Sequence, residues 1–399
     1  MAEWISKTLG ELTSFISKGI PPKYVDEENE NTIRVLNQKC NRNFEISYNE
    51  SRIHNAAVKK VPENKLLHSG DVLINSTGTG TAGRVAQIFN IPMPTTVDGH
   101  MILLRPTKEI DPLYYGYVIK SYQKKIESLA EGSTGQTEIN RQRLQDEIYI
   151  TFPKDRALQK EIGTFLFQID EKIKNNSEIN NNLLEQALTL YTTQFATLER
   201  NGCVGDYCSI KSGFAFKSSW WTHNGVKVIK IGSISQDNLN LLECSYVDED
   251  KIDKAKDFKV GAGDLLIAMT GATIGKFAMV PYSSEMLLVN QRVGKFFLGD
   301  NPVEKLPFIY CTLKQPEVYY EIVNRGQGSA QPNISASDIM SIPCVIPSKE
   351  RINEFNDTAQ PLFDLIISNQ RENQQLSELR DSLLPKLMSG ELDVSDIEL

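Results

Sequence analysis

The chain has 399 residues, 40% of them hydrophobic and 8% aromatic, and a formal net charge of −8. That length predicts more than one domain, each able to bury a core, and no apolar run approaches the ~18 residues of a membrane span. The acidic balance argues against a simple nucleic-acid binder, but the excess is local. Residues 347–399 carry 11 acidic and 5 basic side chains, whereas residues 1–150 carry 18 of each, and a neutral domain can still present one basic face. The opening Met1-Ala2-Glu3-Trp4-Ile5-Ser6-Lys7 lacks the charged-then-apolar layout of a secretion signal. Cysteines 40, 203, 208, 244, 311 and 344 show no Cys-x-x-Cys spacing, and histidines 54, 68, 100 and 223 form no ligand pair. The expectation is a cytoplasmic protein with reduced thiols and no metal site.

In chain order, the first half is answered by the second at a separation of about 193 residues. Lys18-Gly19-Ile20-Pro21-Pro22-Lys23-Tyr24 is answered by Ser212-Gly213-Phe214-Ala215-Phe216-Lys217-Ser218. The strand-like Gly70-Asp71-Val72-Leu73-Ile74 is answered by Gly263-Asp264-Leu265-Leu266-Ile267. Thr77-Gly78 and Gly83-Arg84 return as Thr270-Gly271 and Gly275-Lys276. Helical periodicity with aromatics covers residues 113–129 and returns over 306–323. Gln136-Thr137-Glu138-Ile139 returns as Gln331-Pro332-Asn333-Ile334, and Pro153 as Pro347, each proline just ahead of a long amphipathic pattern.

Those two patterns predict long helices. The first has a seam at Ile162, Leu166, Ile169, Ile173, Asn176, Asn180, Leu183, Ala187, Leu190 and Gln194. The second has one at Phe355, Ala359, Leu362, Ile366, Asn369, Asn373, Leu376, Arg380, Leu383 and Leu387. Alternating spacings of three and four fit a helix lying along another helix. Asn176, Asn180, Asn369 and Asn373 recur at matching places, and seam asparagines fix register at some cost in stability. Pro385 predicts a bend or restart near the end of the second helix, and Gly390 a stop.

The implied architecture is α/β (α+β): two similar globular domains joined by a two-helix antiparallel coiled coil, with a pseudo-twofold internal repeat. The divisions are a first domain at 1–152, a long helix at 153–200, a second domain at 201–346, a second long helix at 347–390 and an acidic tail at 391–399.

Gly78-Thr79-Gly80-Thr81-Ala82-Gly83 matches a dinucleotide fingerprint on paper. A strand-like segment follows it rather than a helix, so a glycine-rich turn between strands is the better reading. Asp248-Glu249-Asp250-Lys251 reads as an acid-rich turn rather than part of a nuclease centre. No nucleophile elbow, zinc-protease helix or phosphate-binding loop is present. The basic residues beside glycines carry more interest. Lys18, Lys23, Arg84, Lys211, Lys217 and Lys276 sit where a backbone can approach closely, and are candidates to hold phosphates or read guanine edges. Gln136, Gln331 and Asn333 are candidates to read adenine. Thr77, Thr270 and Tyr24 complete the candidate set, with Trp220 and Trp221 as core or rim.

The chain resembles the specificity subunit of a type I restriction–modification system. The resemblance is carried by residues 210–218, by Gly263-Asp264-Leu265-Leu266-Ile267, by residues 328–334, and above all by Leu383-Leu384-Pro385-Lys386-Leu387-Met388-Ser389-Gly390-Glu391 after the second helix. It implies that each globular domain is a target recognition domain reading one half of a split, asymmetric sequence in double-stranded DNA. It implies that the helices set the gap and dock two methyltransferase subunits, with two restriction/translocase subunits joining for cleavage. S-adenosylmethionine, ATP and Mg²⁺ would belong to those partners, leaving this chain non-catalytic and without cofactor. Two alternatives stay open: a specificity subunit of another restriction class, and a scaffold whose duplicated domains bind protein.

Overall fold

A computed structural model describes residues 3–132, 137–326 and 332–397. By its internal contacts the chain divides into two units, residues 1–171 with 378–399, and residues 172–377. Both long helices, Arg156–Phe195 and Lys349–Ser389, contribute to both units.

The first unit holds two four-stranded sheets. In one, Thr13–Lys18, Met101–Pro106, Asp71–Asn75 and Val85–Ile88 pair antiparallel in that order. In the other, Thr95–Val97 runs parallel to Thr32–Leu36, followed by Arg52–Asn55 and Tyr24–Val25. Leu36, Leu67, Leu73, Ile88, Val97 and Leu103 fill the core. Asp71–Asn75 is buried at every position, which explains its continuous apolar run. Gly70 at φ 90° and Gly263 at φ 80° turn the chain into the equivalent central strands.

The second unit repeats these elements. Ser209–Ser212, Val293–Phe297, Leu265–Ala268 and Phe277–Met279 form the antiparallel sheet. A five-stranded sheet has Val226–Ile229 parallel to Leu287–Val289. The fingerprint-like Gly78-to-Gly83 stretch is the turn between antiparallel strands Asp71–Asn75 and Val85–Ile88.

Each predicted aromatic helix is two short helices. Pro112–Ser121 and Gln123–Ser128 meet at Tyr122, and Leu306–Lys314 and Pro316–Gly326 meet at Gln315. Gln315 is extended because Pro316 follows it. Asp111 caps the first, its carboxylate accepting from Leu113 N at 3.0 Å, with Pro112 at the first helical position.

The same short helix meets a long helix in each unit, by different means. In the first, Gly163 lets the helix approach the backbone of Leu113 and Tyr114, where a Cβ would lie 2.7 Å from Tyr114 N. In the second, the counterpart is Asn356, buried, whose side-chain oxygen accepts from Phe308 N at 2.9 Å. Around it the rings of Tyr191, Phe195, Phe308 and Phe355 pack with centroids 5.1–6.4 Å apart.

The long helices pair antiparallel. Asn369 donates to Asn180 at 2.8 Å, and Asn176 donates to Asn373 at 2.9 Å and to Glu372 at 2.6 Å. Asn373 donates to the Ile173 carbonyl at 3.2 Å. In the first unit, Arg380 donates to Asp170 at 2.5 Å, and the Tyr117 hydroxyl donates to the same carboxylate at 2.5 Å.

Past Asn180 the seam keeps Ala187 but otherwise departs from the sequence expectation by one position. Leu184, Ala187, Tyr191 and Phe195 are buried, while Leu183, Leu190 and Gln194 are half-buried. A straight helix of 3.6 residues per turn drifts off a 3.5-residue seam, and here it turns toward the second domain's core. The restart expected at Pro385 does not occur. The second helix is continuous through Pro361 and Pro385 to Ser389, held by buried Phe363, Ile366, Leu384 and Leu387, and Gly390 at φ 74° ends it. Among the described residues no helix is long and apolar enough to cross a membrane, and no group of His, Cys, Asp and Glu could hold a metal.

One buried charge distinguishes the units. Lys314 pairs with Asp237 at the tip of the hairpin Ile234–Ser235/Asn238–Leu239. At the matching hairpin tip the first unit has Phe44, and the Lys120 ammonium lies 4.4 Å from its ring centroid. The Lys120 nitrogen is buried with no hydrogen-bond partner among the described residues. Burial pulls its pKa down to about 8, against the opposing pull of Asp170.

Two stability outcomes follow from these contacts. Asn180→Leu alone strands the Asn369 amide and should lower unfolding free energy by about 1–3 kcal/mol. The double variant N180L/N369L should recover that loss in denaturant melts. For Lys120 the folded pKa lies below the unfolded one, so charging it opposes folding, fully below pH 8 and not at all above about pH 10.4. Lys120→Met should therefore stabilise the protein at pH 7, by up to about 3 kcal/mol, with the gain fading as melts are repeated at higher pH.

Candidate nucleic-acid interface

In each domain four segments converge at one end of the antiparallel sheet's strands. The first is the loop after the opening strand, containing Gly19 or Gly213. It lies directly on the turn that follows the parallel strand: Ile20 bridges Asp98, and Phe214 bridges Asn290. A Cβ on Gly19 would come within 2.5 Å of the Val97 carbonyl carbon, and one on Gly213 within 2.6 Å of that of Val289, so only glycine fits.

That turn is the second segment. Asp98 accepts from His100 N at 2.9 Å, and Asn290 accepts from Arg292 N at 3.2 Å, the same side-chain turn in both copies. The third is the glycine-rich turn beginning at Thr77 or Thr270. The fourth is a short strand that pairs with it: Thr77 bridges Glu138, and Thr270 bridges Asn333. Ile139 N donates to the Ser76 carbonyl at 2.8 Å and Ile334 N to that of Met269 at 2.9 Å, which makes the two copies superposable in detail.

Of the sequence candidates, Lys18 and Thr77 lie at this convergence in the first domain, and Thr270 and Asn333 at its counterpart in the second. Thr77 Oγ1 contacts His100 Nδ1 at 2.8 Å, and the Lys18 ammonium pairs with Glu138. The Lys65 ammonium donates to the carbonyls of Lys18 and Gly19 at 2.8 and 3.0 Å. Burial, then the nearby Arg141 charge, holds both lysines below the usual range. A cleft of about 390 Å³ opens here, lined by Lys18, Glu131, Glu138, Ile139, Asn140 and Arg141. Arg84 and Lys276 close the glycine turns at equivalent positions, and Arg84 donates to the Gly80 carbonyl at 3.1 Å.

Tyr24 belongs to the second sheet, and Lys23 immediately precedes its strand. The Arg52 guanidinium lies 3.4 Å from the Tyr24 ring centroid. Lys217 is exposed, 5.9 Å from the Trp220 ring, and Lys230 lies 3.4 Å from the Trp221 ring. Gln136 and Gln331 lie outside the described residues.

Lys211 is not the counterpart of Lys18. Lys18 sits opposite Ile102, whereas the residue opposite the equivalent Gly294 is Ser212. Lys211 is one residue earlier, hence on the other face of the strand, with its ammonium 5.2 Å from the Phe297 ring. The alignment of Lys18 with Ser212 read from the repeat thus recurs in the strand register.

Sequence reasoning missed Glu138, His100, Lys65, Arg141, Arg52 and Lys230. For His100 and Arg292 a signal existed: each stands two residues after an Asx residue at a matched repeat position. For the stacked Arg52–Tyr24 and Lys230–Trp221 pairs none did, since strand pairing brings them together.

The sequence profile of the family described as "Type I restriction modification DNA specificity domain" matches residues 1–185 and again 200–378. The type I restriction enzyme MjaIX specificity subunit of Methanocaldococcus jannaschii is 24% identical over 426 aligned positions, covering 99% of this chain and 95% of the relative. The HindI specificity subunit of Haemophilus influenzae is 34% identical over 123 residues, 30% of this chain and 26% of the relative. The crystal structure of the type I restriction–modification system S subunit from M. genitalium has a TM-score of 0.54 at 18% identity, covering 97% of this chain and 96% of that one. Two matched segments, each containing the same four-segment convergence, therefore place the chain in the family of type I restriction–modification specificity subunits, with two target recognition domains.

Proposed function

We propose that each domain reads one half of a bipartite, asymmetric sequence in double-stranded DNA through its four-segment convergence. The observation that carries this is the duplicated backbone with unlike side chains: Lys18, Asp98, His100 and Glu138 in one copy stand where Ser212, Asn290, Arg292 and Asn333 stand in the other. A common frame with divergent polar tips suits two readers of different half-sites. Lys18, Lys65 and Arg141 supply phosphate contacts, which position without specifying. The paired helices set the separation of the half-sites and offer docking faces for two methyltransferase subunits, with restriction/translocase subunits joining for cleavage. In this reading the chain itself performs no catalysis, and S-adenosylmethionine, ATP and Mg²⁺ serve the partner subunits.

Exchange of residues 201–346 for those of a relative should alter one half of the methylated sequence and leave the other intact, as read by sequencing of modified bases in cells carrying the hybrid system. Changes in both halves would refute independent readers. Lys65→Ala should weaken binding of the methyltransferase complex uniformly across sequences and reduce the slope of log affinity against log salt by about 1.

A further inference from the structure

Two residues occupy one geometric position in the two domains and differ in chemistry. Glu138 bridges Thr77, and Asn333 bridges Thr270, in isolated antiparallel pairings. The next residue in each copy, Ile139 or Ile334, is buried at 0% and 1% exposure. Strand alternation therefore directs Glu138 and Asn333 away from the core, and both are exposed. Around Glu138 stand Lys18, paired to it, and Arg141, which lines the same cleft.

Cations of that kind grip any phosphate backbone alike. Lysine and arginine can also read a guanine edge, but the acceptor-only carboxylate among them matches the amino group of cytosine and repels the N7 and O6 edge of guanine. An asparagine at the same place offers an acceptor and a donor together, the pattern that matches adenine N6 and N7.

We propose that Glu138 and Asn333 are the equivalent base-reading positions of the two target recognition domains, Glu138 taking a cytosine amino group and Asn333 an adenine. In the free chain Lys18 holds the carboxylate, and on DNA the ammonium passes to a phosphate while the carboxylate meets the base. This rests on the reading that the four-segment convergence faces DNA.

The test is to assemble the full chain with its methyltransferase partner, present a library of DNA with randomised sites, and sequence the modified molecules. Glu138→Asn and the near-isosteric Glu138→Gln should both move one pair of one half-site from C·G to A·T, by tenfold or more, with the other half unchanged. Asn333→Glu should make the reverse move in the other half-site. An unaltered sequence in these variants overturns the assignment, as does a uniform loss of methylation at all sequences, which would make Glu138 only a counter-ion of Lys18. A wild-type complex that modifies no bipartite site overturns the functional reading as well, whereas a bipartite wild type with unresponsive variants overturns this assignment alone.

Discussion

The close seating of one backbone on another governs each domain. Gly19 and Gly213 rest against the carbonyls of residues 97–98 and 289–290, with no space for even a methyl group. Because that contact is backbone on backbone, it is indifferent to the side chains that project around it. The frame can therefore stay constant while Lys18 becomes Ser212, Asp98 becomes Asn290 and Glu138 becomes Asn333. A protein that must change what it recognises without changing how it folds benefits from keeping its tightest contact free of the variable groups.

The helix pair follows the opposite logic. Its middle is specified by side chains: Asn176, Asn180, Asn369 and Asn373 bond to one another and to a main-chain carbonyl. An apolar seam could slide by a turn at small cost, whereas a slide here would strand several buried amides. Toward the second domain the helices give up seam packing for aromatic clustering, with Tyr191, Phe195 and Phe355 shared between helix and domain core. The helices thus hold register at the middle and join the domain's core further along.

Much of this was legible in the residues. The repeat, the two long helices, the antiparallel asparagine layers and the strand–turn–strand character of Gly78 to Gly83 all reflect local pattern or matched spacing. What was not legible depends on tertiary register. The face that Lys211 takes is one case: it stands one residue before Ser212, the counterpart of Lys18, and a shift of one residue in a strand reverses the face. Leu183 and Leu190 fit an ideal seam, but the helix follows its own pitch and buries Leu184 and Tyr191. Of the candidate contacts, the exposed lysines announced themselves by composition. Glu138 did not, although the repeat sets it level with the candidate Asn333, because a lone glutamate suggests no DNA contact until strand pairing places it opposite Thr77.

The hairpin tips show how far the two halves have become individual. Asp237 binds Lys314 and Tyr310, and its carbonyl accepts from Gln370 on the second long helix at 3.1 Å. The first half meets the same need with Phe44 against Lys120, and with Asp170 and Arg380 on the helices. Recombination between relatives is then constrained by these few struts rather than by the rest of the domain surface. A graft that replaces the Asp237 hairpin while keeping the Leu306–Lys314 helix leaves Lys314 without its carboxylate, so hairpin and short helix are expected to be inherited as one piece.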